Sequence, residues 1–134
     1  AREPLQLRCS DGNRHLGVVT DLGHASLHVI DALQGCHAML LEANHDPDLL
    51  QASTYPSFLK QRVAGPWGHL ANHAAAELLA RVKHDQLSYV LAAHLSERNN
   101  TPELARTSLS AALGCELLDI GIADPLTGSA WIEV

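Results

Sequence analysis

Two patterns alternate along the chain: short apolar runs of strand length, and longer stretches whose apolar residues recur at helical spacing. Leu5–Arg8 and Leu16–Thr20 are short runs flanking Ser10-Asp11-Gly12-Asn13, a turn sequence that predicts a β-hairpin. Asp21-Leu22-Gly23-His24 leaves the second strand as a tight turn, and Ser26 is placed to cap a short helix over Leu27–Leu33 that Gly35 ends. Ala38–Leu41 shows no alternation, as expected of a strand covered on both faces. Asp46-Pro47 opens another short helix, because proline is tolerated in a first turn. Pro56, Gly65, Pro66 and Gly68 then punctuate a loop-rich stretch with a helix around Phe58–Val63.

Asn72–Val82 is the clearest element, alanine-rich with Ala75, Leu78, Leu79 and Val82 at helical spacing. Leu87–Ala93 is a second buried strand, and Thr101-Pro102-Glu103 starts a helix that runs to Leu113 before Gly114. Glu116–Ile122 and Ala130–Val134 read as terminal strands around Asp124-Pro125-Leu126-Thr127-Gly128. Strands alternating with helices predict an α/β arrangement with helices packed on a sheet. No repeat or linker interrupts it, so residues 1–134 read as one unit.

At 134 residues and 46% hydrophobic content, the chain has the length of one domain and enough apolar surface for a core. Its formal charge of -6 excludes a basic nucleic-acid patch as the dominant surface feature, though not a small site that handles phosphates. No apolar run approaches the roughly 20 residues of a membrane span, and no charged start leads into an apolar stretch. A cytoplasmic chain is expected, not associated with a membrane. Cys9, Cys36 and Cys115 are an odd, widely spaced set without a CxxC pair and read as reduced, buried thiols. The chain starts at Ala1 and its one methionine, Met39, is internal, so a processed chain or a piece of a longer one is expected.

Nine histidines are many for this length, and histidine is the commonest metal ligand and general acid or base. The chemically useful ones fall at carboxyl ends of expected strands: Asp21 and His24 after one, Glu42 and His45 after the next, His94 after the third. His69 lies in the turn leading into the long helix. In open α/β sheets ligands gather at such strand ends. Taken singly, Asp21 before a Leu-Gly pair reads as a turn residue and His69 as a helix-start residue. His15, His28, His37, His73 and His84 are expected on the surface.

The stretches Thr20-Asp21-Leu22-Gly23-His24, Leu40-Leu41-Glu42-Ala43-Asn44-His45-Asp46, Phe58-Leu59-Lys60-Gln61-Arg62, Gly68-His69-Leu70-Ala71-Asn72 and Ala93-His94-Leu95-Ser96-Glu97-Arg98-Asn99-Asn100-Thr101-Pro102 resemble, in order, the carboxyl-terminal half of metallo-β-lactamase-fold hydrolases. The subgroup they resemble is the bacterial YycJ/WalJ type of metal-dependent nuclease, with ribonuclease Z a more distant relative. The likeness runs from about Leu16 to Val134. It implies the second half of an αββα sandwich, a mixed sheet with helices packed on it.

The resemblance also implies roles. Asp21 matches the aspartate that bridges two metal ions, and His94 the last metal-binding histidine. His69 stands where ribonuclease Z-like enzymes place a histidine near the scissile phosphate, and Glu42 where an acidic residue orients that histidine. His45 and Asn44 belong to a motif typical of the subgroup, and His24 joins them as a possible substrate or supporting residue. Ala71 replaces a commoner serine. The His-x-His-x-Asp-His motif of the family's first half, which supplies most metal ligands, is absent from the sequence.

The implied intact enzyme is a two-metal hydrolase using zinc or manganese, with DNA or RNA as its substrate. A thioester or lactam hydrolase is the alternative within enzymes. A catalytically inert half-domain is the alternative outside them, because two ligands do not close a metal site. A homodimer, or association with the missing amino-terminal half, is expected to cover the open sheet face.

Overall fold

The computed structural model describes residues 3–134; residues 1 and 2 of the expected 1–134 unit lie outside it. Strands β1 (Leu7–Ser10) and β2 (His15–Val19) form the expected antiparallel hairpin. Asp11 shapes its turn, with Oδ1 accepting the N–H groups of Asn13 and Arg14, each at 2.8 Å. Helix α1 (Leu27–Leu33) starts at Ser26, whose hydroxyl accepts the Val29 N–H, and leads into β3 (Ala38–Glu42). Helices α2 (Pro47–Ala52), α3 (Ser57–Ala64) and α4 (Asn72–Val82) follow before β4 (Tyr89–Ala93). Helix α5 (Pro102–Leu113) begins at the Thr101 cap and ends at Gly114, φ +72°, then β5 (Ile120–Ile122) completes the sheet.

The sheet order is β1-β2-β3-β4-β5, with all pairs after the hairpin parallel. Each parallel step moves one strand in the same direction, and right-handed crossovers therefore put α1, α4 and α5 on one face. The core records this. Val19, Met39, Leu41, Val90, Ala92 and Ile120 pack against Leu33, Leu78, Leu79 and Leu109 from the helices. The opposite face carries Leu16, Val18, Leu40, Tyr89 and Leu91, and residues 129–134 run beside it over a cavity of about 330 Å³.

Four expectations need correction. Glu116–Ile122 is not one strand. The Glu116 N–H donates to Asp119 Oδ2 at 3.0 Å, a reciprocal cap that winds Leu117–Asp119 into a 3-10 turn before β5. Ala130–Val134 has the alternation of a strand, with Ile132 and Val134 half-buried and Trp131 and Glu133 exposed, but no strand pairs with it among the described residues. His37 is buried rather than superficial. It stacks on His15 with ring centroids 5.8 Å apart, and its Nδ1 accepts the His15 N–H at 3.0 Å. Of the three thiols expected to be buried, Cys36 is, Cys115 is half-buried and Cys9 is exposed on the edge strand. Among the described residues no helix is long and apolar enough to cross a membrane.

Leu79 of α4 is fully buried against this sheet. Leu79→Ala is expected to cost about 2–5 kcal/mol in chemical denaturation, since the cavity cannot fully collapse. Leu118→Ala, at a side chain 82% exposed, is expected to stay within about 0.5 kcal/mol.

Candidate metal centre

Strand register determines which residues meet. Val19 pairs with Leu41 and Glu42 with Ala93, so the chain leaves β2, β3 and β4 at nearly one level. Asp21, Glu42 and His94 therefore emerge side by side, and His69 reaches them from the turn before α4. One ligating atom from each of the four lies within 4.8 Å of the others. Asp21 and His94 both adopt left-handed backbone, φ +57° and +55°. Asp and His tolerate that conformation better than most residues, but it still costs of order 1 kcal/mol each and concentrates at functional sites. Here it turns two side chains toward a common centre where an extended backbone would carry them past it.

Glu42 is fully buried, and a buried carboxylate survives only with partners. Its Oε2 accepts the Leu22 N–H at 3.0 Å and the Leu70 N–H at 3.4 Å, and its Oε1 takes the His69 Nδ1 proton at 2.6 Å. That last bond raises the His69 pKa above its usual value, against the opposing effect of burial; the charges of Glu42 and Asp21 add to the rise. With Nδ1 committed to Glu42, His69 presents Nε2 outward. His69 Nδ1 lies 3.8 Å from Asp21 Oδ1, and His94 Nδ1 lies 3.9 Å from the same oxygen and 3.6 Å from Glu42 Oε1.

Two imidazoles and a half-exposed carboxylate are donors suited to a borderline divalent cation. The Asp21 side chain is 51% exposed and accepts no hydrogen bond among the described residues, so its oxygens are open to an ion. Glu42 is already saturated by three donors and fits an orienting role better than a ligand's.

The loop after β3 is pinned from both sides. The Asn44 amide donates to the His94 carbonyl at 2.8 Å, holding the strained residue in place. The Asn44 N–H bonds Leu70, and the His45 carbonyl accepts from Asn72. Beneath it, the buried side chains of Asn72 and Asn100 exchange amide hydrogen bonds at 2.8 and 2.9 Å, and Asn100 also donates to the Ala43 carbonyl at 2.7 Å. This clasp ties the starts of α4 and α5 to the end of β3. Sequence reasoning assigned neither asparagine a role, although both lie inside quoted motifs. Their position just before helical runs was the available signal.

The other candidates lie nearby without joining the four. His24 is exposed, its Nδ1 3.3 Å from the Pro66 carbonyl. His45 is buried, its Nδ1 3.3 Å from Asn44 Oδ1, and its pKa is lowered first by burial and then by the neighbouring His69 and His73. Gly68 is sterically required, since a Cβ there would collide with the Val63 and Arg62 carbonyls. Its closeness to α3 lets the His69 N–H bond Val63 O at 3.0 Å and aims the imidazole at Glu42.

Glu42→Gln keeps the shape but removes the charge. In metal-free chain, an NMR titration of His69 is expected to show its pKa falling toward or below the ordinary 6.5. The sign for stability follows: a raised folded-state pKa contributes stability below the unfolded value, and that contribution is lost as pH rises through the His69 pKa. The variant is expected to lack this pH-dependent component.

No protein-family model matches the chain. It is 37% identical over 113 residues to the exodeoxyribonuclease YycJ of Bacillus anthracis, a match covering 84% of this chain and 43% of that protein. It is 32% identical over 105 residues to the exodeoxyribonuclease WalJ of Streptococcus pneumoniae strains D39 and R6, covering 78% of this chain and 39% of those proteins. The chain thus spans about two-fifths of the length of the curated relatives it matches. With its five-stranded mixed sheet and helices packed on it, the chain is a homologue of part of the YycJ/WalJ proteins, and its fold is consistent with half of a metallo-β-lactamase fold.

Proposed function

We propose that this chain supplies one side of the active site of a metal-dependent nuclease. The observation that carries the reading is the convergence of Asp21, Glu42, His69 and His94 at the strand ends. In this reading Asp21, through its carboxylate, and His94, through its imidazole, would hold divalent metal, zinc or manganese. Bound metal supplies a nucleophilic water at neutral pH and charge stabilisation for the oxygens at phosphorus.

The remaining work falls to residues of this chain. Glu42 holds the His69 ring by Nδ1 and favours its protonated form, so that Nε2–H faces the phosphodiester. There His69 donates a hydrogen bond to a phosphoryl oxygen, or passes its proton to the departing oxygen as the P–O bond breaks. Leu22 and Leu70 N–H groups hold the Glu42 carboxylate in place. Asn44 fixes His94 through its carbonyl.

Two ligands do not complete a metal site, so further ligands come from a segment corresponding to the relatives' remaining length. That segment would seat on the sheet face that carries Leu16, Val18, Leu40 and Leu91, beside residues 129–134. The same face would otherwise drive dimerisation of the chain alone.

The test is nuclease turnover of the chain assembled with that segment, on DNA and RNA oligonucleotides with added zinc or manganese. His69→Ala is expected to lower kcat by roughly 10²–10⁴-fold. Glu42→Gln is expected to lower it by roughly 10–100-fold, as befits a supporting partner. Wild-type turnover in both variants would overturn the assignment.

A further inference from the structure

The stretch from Leu49 to Ala76 contains no aspartate or glutamate, although the chain carries fifteen. It contains Lys60, Arg62, His69 and His73, and also Tyr55, Phe58 and Trp67. This acid-free stretch includes His69 of the candidate site. Helix α3, within this stretch, buries no side chain completely and leaves Phe58 71% exposed; Trp67 is 63% exposed in the following loop. Single exposed apolar side chains need no explanation. Two aromatics with two cations on an acid-free segment form a more specific arrangement.

Between α2, α3 and the start of α4 lies a cavity of about 390 Å³ that opens beside His69. His45, Lys60 and His73 give it polar walls, Leu50 and Ala64 apolar ones. Helix α4 begins with Ala71 as its cap and lacks a side-chain acceptor for its first-turn N–H groups. A second observation points to a ligand. Asn44 uses its amide nitrogen on the His94 carbonyl, so its oxygen faces His45 and takes the Nδ1 proton. The other nitrogen of this 2% exposed ring is then left as an acceptor, and His45 lines the cavity, where that nitrogen suits a donor from whatever fills it. Lys60 spends one proton on the Gln51 carbonyl at 2.5 Å and keeps two for an anion.

We propose that this cavity and the adjoining face of α3 hold the nucleotide next to the cleaved phosphodiester of a single nucleic-acid strand. Lys60 and the α4 N-terminus receive its phosphate. His45 accepts from a sugar hydroxyl or a base N–H. Phe58, one turn from Arg62 on the same helix, stacks on the next base. The inference rests on the nuclease reading, and metal plays no part in its test.

Binding of a fluorescein-labelled single-stranded DNA oligonucleotide, and of RNA of the same sequence, is measured by anisotropy in EDTA across a salt series. Wild type is expected to bind. Phe58→Ala is expected to weaken binding roughly five- to a hundred-fold. Lys60→Gln is expected to weaken it and to lower the salt slope by about one. Arg14→Gln, in the hairpin turn at the other end of the sheet, is expected not to weaken it. No binding by wild type, equal affinity of the Lys60 and Phe58 variants, or equal competition by polyglutamate overturns the subsite. If Asp21→Asn abolishes cleavage while the Lys60 and Phe58 variants bind and cleave as wild type, the subsite fails and the nuclease reading stands. If those two variants lose binding but no assembled form cleaves, the nuclease reading fails and the strand-binding surface stands.

Discussion

The Glu42 carboxylate is the constraint on which the site depends. A charge with no solvent contact is tolerable only where donors surround it, and its three donors come from two separate stretches of chain: the Leu22 N–H in the turn after β2, and the His69 ring and Leu70 N–H in the turn before α4. Meeting Glu42's requirement therefore brings Leu22, His69 and Leu70 to the end of β3. Asp21 is drawn in as the neighbour of Leu22, and His94 as the residue following Ala93 in register with Glu42. Removing a partner would leave the buried Glu42 carboxylate short of a donor, which costs more than the pair's net contribution.

The sheet makes that convergence possible. Four parallel strands in sequential order send every chain exit to the same edge, and one-sided crossovers keep the helices away from the other face. Left-handed backbone at Asp21 and His94 places strain at that edge, and the Asn72–Asn100 clasp holds the loops that bear it. The result is a rim of acid and imidazole groups bordered by an apolar sheet face along which residues 129–134 run.

Much of this was legible in the residues. The hairpin, α1, α4 and α5 are marked by local signals: Asp11 and Gly12 in the turn, Ser26 and Thr101 as caps, and Gly114 as a left-handed stop. That Asp21, Glu42, His69 and His94 gather at one edge was legible because they end strands or precede a helix, in stretches that resemble a known family. What escaped depends on contacts distant in sequence. The Asn72–Asn100 pair joins residues 28 apart, and no local pattern shows that two amides will face each other. His37 is buried because the hairpin brings His15 over it. The carboxyl-terminal stretch departed from expectation because apolar alternation states a preference for a strand, while a ladder needs a partner that Ala130–Val134 does not find among the described residues.

The most direct test of the account is anomalous diffraction at the manganese or zinc edge from crystals of this chain assembled with the segment that completes the site. The account requires cation density bounded by an Asp21 oxygen and a His94 ring nitrogen, with Glu42 still bonded to His69 and outside the coordination sphere. Density coordinated by Glu42 with His69 released from it, or located only at the His15–His37 stack, would contradict it.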